Sequence, residues 1–259
     1  MRQIVYFLAL TTVLSSCYKY PQLIYLRDDI NMFSDRPTVI ETNPEEYIVQ
    51  YNDILSIQVQ STDPEVAELF NVNRTNAFMF ADPGTLYLMG YPVDNSGKVK
   101  LAIIGDVLVK GKTVREIESI IQAEVDKYII NSTVIVKLVS FKVTILGEVR
   151  NPGMYYIFNG QATIFEALGM AGDITNLGKR EEVKLIRQMG ETSQVVLLDL
   201  TNPQMLVSKY YFVQPNDVIY VEPFKQQTER LNLELLSLIA LFSSLVGTTL
   251  LLINYFGAN

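Results

Sequence analysis

Histidine and tryptophan are absent from this 259-residue sequence, and cysteine occurs once. Without histidine there is no Ser-His-Asp or Cys-His arrangement, no zinc site of the usual His-containing kinds, and no side chain whose unperturbed pKa lies near neutrality. Most familiar enzyme mechanisms are excluded on that ground. One cysteine permits no intramolecular disulfide and no Cys-x-x-Cys motif, so Cys17 is spare, buried or special. Charge is scarce as well: Asp, Glu, Lys and Arg make up 19% of the chain, 21 basic against 28 acidic, for a formal charge of −7. No run of Lys or Arg stands out, and phosphate binding needs a basic face, so nucleic acid is not an expected partner. A mean hydropathy of +0.18 with so few charges points to membrane segments. These sit at the two ends.

Residues 1–16 have the layout of a secretory signal peptide: Arg2, the 11-residue apolar run Ile4 to Leu14, and small residues at the exit. That run is too short to span a bilayer. Its ending, Leu14-Ser15-Ser16-Cys17, resembles the lipobox of bacterial lipoproteins, in which the cysteine thiol receives a diacylglyceryl group and becomes the acylated N-terminus. The alternative is a buried free cysteine after an uncleaved stretch. At about 0.8 kcal/mol per buried methylene, acyl chains make a firm anchor. Tyr18 follows the cysteine where an aspartate would mark retention, and in the lipoprotein pattern this favours outer-membrane delivery.

At the other end, Leu235 to Ile253 is a run of 19 residues without a charge. As a helix it reaches about 28 Å, close to the hydrocarbon thickness of a bilayer. A transmembrane helix is expected over 230–256, with Tyr255 and Phe256 as interface anchors. Ser237, Ala240, Ser244 and Gly247 recur at spacings of 3, 4 and 3 and place small residues on one stripe, flanked by Ser243, Thr248 and Thr249. Such a stripe suits close helix association or a pore lining. It is equally what membrane helices tolerate without either role.

Between the ends, residues 17–45 read as an extended tether punctuated by Pro21, Pro37 and Pro44. Leu55, Ile57 and Val59 then alternate with polar residues as a half-buried strand opened by Asn52-Asp53. Asp63-Pro64 starts a short helix to Phe70. Asp94-Asn95-Ser96-Gly97 is a turn signal, read as a hairpin between strands at 91–93 and 98–101. Thr113 and Glu116 form a capping box for a helix with apolar positions from Val114 to Tyr128, and Thr133 to Val139 closes the unit.

A second unit opens with a strand at Lys142. Pro152-Gly153 reads as the centre of a type II turn. Thr163 and Glu166 form another capping box, for a helix that Gly172 ends, and strands follow at 183–187, 195–198 and 218–221. One helix crossing a small sheet is roughly the β-grasp pattern.

The stretch YIVQYNDILSIQV from Tyr47, with VDNSGKV from Val93, resembles the periplasmic polysaccharide export domain. LGEVRNPGMYY from Leu146, TIFEALGMAGDIT from Thr163 and QPNDVIYVEP from Gln214 resemble the SLBB (soluble-ligand-binding β-grasp) domain. In this order, with lipobox and C-terminal helix, the chain resembles the Wza-type outer-membrane lipoproteins that export capsular or exopolysaccharide. Three departures stand out: Asp173 and Asn216 occupy positions where the family often has glycine, Ala102 stands where proline is common, and there is one SLBB-like unit where the best-known members carry two.

The resemblance implies an α+β fold with an export domain at 46–140 and a β-grasp-like SLBB domain at 141–224. It implies a homo-oligomeric ring that lets a polysaccharide pass from periplasm to cell surface, with no catalytic residue, no metal and no cofactor beyond the lipid on Cys17. Most of the chain would be periplasmic, with Lys225 and Arg230 kept on that side and the uncharged C-terminus at the surface. Ser237, Ala240, Ser244, Gly247 and Thr248 would serve helix association or the pore. An inner-membrane polysaccharide co-polymerase, often a tyrosine kinase, is the implied partner. A membrane-anchored periplasmic scaffold or carbohydrate-binding module without a pore is the alternative. Paired carboxylates, Glu45-Glu46 or Glu181-Glu182, are the residues on which a glycosidase reading would have to rest.

Overall fold

The computed structural model describes residues 23–27, 39–42, 44–71, 89–190, 192–224 and 233–257. The expected leader at 1–16, Cys17, Lys225 and Arg230 lie outside the described residues. The chain is a mixed α/β structure with two hydrophobic cores, one on each side of Ser140.

The first core forms around β1 (Ile54–Ser61), whose Leu55, Ile57 and Val59 point inward. Strand β1 pairs antiparallel with β2 (Tyr91–Pro92) on one side and with β5 (Ser132–Leu138) on the other, setting Ile57 opposite Val136 and Val59 opposite Val134. Helix α1 (Pro64–Phe70) starts where Asp63 accepts the backbone N–H groups of Glu65 and Val66. Strands β3 (Lys98–Leu101) and β4 (Gly105–Leu108) form a separate hairpin. Helix α2 (Val114–Val125) begins with the Thr113–Glu116 capping box and buries Ile117, Ile121 and Val125, each worth about 1.5–3 kcal/mol when removed from water.

Side chains take up part of the backbone that the short sheet leaves unpaired. On β5, the N–H of Val134 donates to Gln122 Oε1 at 2.7 Å and that of Val136 to Glu118 Oε2 at 3.1 Å. On β1, Asn71 takes both backbone groups of Val59, at 2.9 and 2.8 Å. Edge groups satisfied in this way do not recruit foreign strands.

The second core lies under a five-stranded sheet of order β10-β9-β12-β6-β7, built from β6 (Lys142–Gly147), β7 (Gly153–Tyr156), β9 (Gly178–Met189), β10 (Thr192–Leu198) and β12 (Val218–Pro223). The first and last strands, β6 and β12, run parallel at its centre, and every other pairing is antiparallel. That is the β-grasp arrangement. Helix α3 (Ile164–Met170) follows β8 (Ala162–Thr163), which pairs with β11 (Phe212–Val213), and buries Ile164, Ala167 and Leu168. Two of the quoted sequence stretches meet at its end: Arg150 N donates to Asp173 O at 3.1 Å, Asn151 N to Ala171 O at 2.9 Å, and Thr175 N to Glu148 O at 3.0 Å. A 3-10 turn (Pro203–Val207) follows β10, and helix α4 (Leu233–Gly257) ends the described chain.

Both family glycine positions keep their turns, with φ +76° at Asp173 and +66° at Asn216, as expected of residues that tolerate the left-handed region. Other expectations are corrected. Gly153 is not at positive φ, which a type II turn demands of its third residue; it opens β7 opposite Ile145 instead, and the positive-φ glycine of this connection is Gly147. The 94–97 turn forms, with Asp94 accepting the N–H groups of Ser96 and Lys98, but β2 pairs with β1 and β3 with β4. Helix α2 stops at Val125, leaving Tyr128 exposed. Among the described residues no helix is long and apolar enough to cross a membrane. The crossing expected over 230–256 is therefore not supported by the structure, although α4 runs for 25 residues.

Candidate functional site

Two quartets of the same kind form the turns beside the junction of the domains. Gln50-Tyr51-Asn52-Asp53 precedes β1 and Gln214-Pro215-Asn216-Asp217 precedes β12. In both the asparagine has positive φ, +70° and +66°, and the aspartate carboxylate accepts the N–H of the glutamine, at 2.8 and 2.7 Å. Asp53 also accepts the Tyr47 hydroxyl at 2.9 Å and the Ser140 hydroxyl at 3.3 Å, tying the linker residue to the first core. Asp217 accepts Arg187. Burial raises the pKa of both carboxyls above the ordinary aspartate value, against the lowering pull of these donors. Tyr47 is pushed up by its own burial and then by the charge of Asp53.

Beside this junction lies an open cleft of about 620 Å³ lined by both domains. The first domain contributes Glu45, Glu46, Arg115, Glu118 and Lys137; the second contributes Phe158, Asn159, Gln161, Lys209 and Gln214. Arg115 stands 3.4 Å from Glu46, a solvated pair of small energetic worth. Glu182 is likewise engaged by Lys179. Neither pair of neighbouring glutamates presents two free carboxyls across a shared gap.

Residues 23–27 of the tether are docked on the second domain. Leu26 N donates to Leu200 O at 3.1 Å. The Tyr25 ring meets Phe165 edge-on, with centroids 5.6 Å apart, and lies 4.9 Å from the Arg180 guanidinium, while its hydroxyl donates to Asp173. Burial, then the Asp173 contact, raises the Tyr25 pKa. Arg180 is buried, with Nη2 donating to Ile174 O at 2.8 Å.

The expected stripe residues Ser237, Ala240, Ser244, Gly247 and Thr248 all lie on α4 and are exposed. Described hydroxyls on this helix turn back onto it: Ser243 Oγ donates to Ala240 O at 2.9 Å and Thr248 Oγ1 to Ser244 O at 3.0 Å. Leu238, Leu241, Phe242, Leu245 and Val246 are exposed too. Sequence reasoning missed the Tyr25 latch and the cleft, which join distant segments. The repeated Gln-x-Asn-Asp quartet was the one available signal for the junction.

Residues 41–139 match the family model described as polysaccharide biosynthesis/export protein, and residues 141–221 match that of the SLBB domain. The chain is 25% identical over 182 residues to the EPS I polysaccharide export outer membrane protein EpsA of Ralstonia solanacearum, covering 68% of this chain and 48% of that protein. It is 28% identical over 158 residues to EpsA of Ralstonia nicotianae, covering 58% of this chain and 40% of the relative. The matched stretch thus spans less than half the length of either relative. Proteins of the export family are transport components and not enzymes. Two domain matches in this order cover more than two thirds of the sequence, and on them the chain belongs to the Wza-type polysaccharide export proteins.

Proposed function

We infer that this chain is the repeating subunit of a ring in the bacterial outer membrane that conducts a secreted capsular or exopolysaccharide from periplasm to cell surface. The observation that carries this reading is the export domain joined to an SLBB domain and followed by an apolar helix, α4, on which Leu238, Leu241, Leu245 and Leu252 stand exposed. An unpartnered apolar surface of that kind marks a membrane or protein contact. In a bilayer all backbone groups must be satisfied internally, which a bundle of such helices achieves. The small residues Ser237, Ala240, Ser244 and Gly247, with Thr248 beside them, would let neighbouring helices approach closely. The uncharged C-terminus would lie at the surface.

Conduction of this kind is passive. It uses no cofactor; energy comes from synthesis at the inner membrane, where a co-polymerase or tyrosine kinase is the proposed partner. Leu14-Ser15-Ser16-Cys17 supports acylation of Cys17, and Cys17→Ser should leave the precursor unprocessed and lost from the outer-membrane fraction. Fractionation and the mass of the detergent-extracted particle test the whole reading. A large, stable oligomer in the outer membrane is expected, and a monomer in the inner membrane would overturn it.

One observation favours a second reading. The Ser243 and Thr248 hydroxyls bond to their own helix, so α4 presents an apolar surface better suited to an anchor than to a wet pore. The chain would then be a periplasmic scaffold or carbohydrate-binding module held at the membrane. Conductance of the purified particle in planar bilayers separates the two.

A further inference from the structure

We propose that the cleft between the two domains is a saccharide-binding site for a short stretch of neutral, hydroxyl-rich sugar chain. This rests on the export reading, which supplies the polymer, but it assigns a role to a surface that conduction by itself does not require. The volume of about 620 Å³ lies within the ~300–1,000 Å³ usual for small-molecule sites.

Charge decides the ligand class. Glu45, Glu46 and Glu118 share the lining with Arg115, Lys137 and Lys209, three against three, so the lining has no net charge. A phosphate-bearing ligand needs an excess of cations, and a hydrocarbon would desolvate six charged groups without replacing their hydrogen bonds. A ligand dense in hydroxyls, each both donor and acceptor, satisfies both signs at once.

The second domain supplies the complementary surface. Phe158, at the tip of the loop after β7, is 75% exposed and has no ring partner among the described residues. A bare aromatic face on a loop accepts the C–H face of a sugar ring by dispersion. Asn159 and Gln161 follow it in the same lining, and their side-chain amides have no hydrogen-bond partner among the described residues. An aromatic platform flanked by free amides, opposite balanced charges, holds a sugar by stacking and orients it by its hydroxyls.

The absence of tryptophan makes the test direct. Phe158→Trp in the full chain, extracted in detergent, places a single fluorescent reporter at the cleft; Leu69→Trp on α1 is the control. The probe is the polymer secreted by the producing cell, cut to short oligosaccharides by partial hydrolysis. A saturable fluorescence change is expected at position 158 and none at 69. Asn159→Ala with Gln161→Ala should weaken binding by about tenfold, equivalent to 1.4 kcal/mol, with an unchanged melting midpoint. No saturable change at 158, or unaltered affinity in the double alanine variant, overturns the proposal. So does a photo-crosslinking residue at 161 that joins two copies of the chain, because a neighbouring subunit would then fill the cleft. Restoring secretion to a cell that lacks the chain tests the export reading separately. If the unaltered chain restores secretion but binds no oligosaccharide, only the cleft assignment falls; if it restores nothing, the export reading fails.

Discussion

The guanidinium of Arg187 meets the carboxylate of Asp217 in a fork, Nε to Oδ1 at 3.0 Å and Nη2 to Oδ2 at 2.7 Å, and both side chains are buried. Arg187 Nη2 donates further to Phe212 O at 3.1 Å. The pair joins β9 to the turn that starts β12, so it fixes where the central parallel strand begins.

Breaking one side of that fork should cost more than breaking both. Arg187→Met leaves a buried, uncompensated carboxylate, a loss of about 3–5 kcal/mol. Arg187→Met combined with Asp217→Leu removes the charge and should recover much of it. Urea unfolding midpoints of the single and double variants measure the difference.

Asp53 predicts an unusual pH response. Its pKa is raised in the folded state by burial, so the folded chain holds the proton more tightly than the unfolded one. Its contribution is therefore most favourable below the ordinary aspartate value and is lost as pH rises through the elevated one. Asp94 acts oppositely: hydrogen bonds from the Lys98 N–H and then Ser96 lower its pKa, giving stability above the ordinary value that disappears as pH falls. Asp53→Asn should flatten the first component. Subtracting the unfolding curves of this variant from those of the unaltered chain, from about pH 4 to neutrality, isolates it, and a difference that does not change with pH would contradict the prediction.

Two backbone positions at positive φ should differ in what they tolerate. At Asn216, φ is +66°, and Asn216→Gly should be neutral or slightly stabilising while Asn216→Val loses about 1–2 kcal/mol. At Gly147 a Cβ would lie 2.0 Å from Val221 O, with φ +88°, so Gly147→Ala must separate β6 from β12. Thermal melts should place Gly147→Ala well below Asn216→Val.

Tyr25 should act as a latch for the tether. Tyr25→Ala removes the contacts to Phe165 and Arg180, each worth about 0.5–1.5 kcal/mol, while Tyr25→Phe keeps the ring and loses only the bond to Asp173. Hydrogen exchange at the Leu26 and Arg27 amides, which donate to Leu200 O and Thr201 O, should accelerate strongly in the first variant and little in the second. Unchanged protection in Tyr25→Ala would show that backbone pairing alone holds the segment.

Local chemistry was legible from residues alone. The Asp63 cap, both capping boxes, the strand alternation around Ile57 and the left-handed turns at Asp173 and Asn216 depend on neighbours within a few positions, so the sequence determined them by itself. Tertiary structure decided what depends on distant partners. Strand pairing set β2 against β1, and pairing with Ile145 drew Gly153 into a strand instead of a turn. The linker residue Ser140 found Asp53, and Tyr25 found Arg180 across more than a hundred residues. The cleft exists because two domains meet, with lining residues that look like ordinary solvated positions in the sequence. Local rules act through one chain segment, whereas a site made of several segments takes its chemistry from their juxtaposition in the folded molecule.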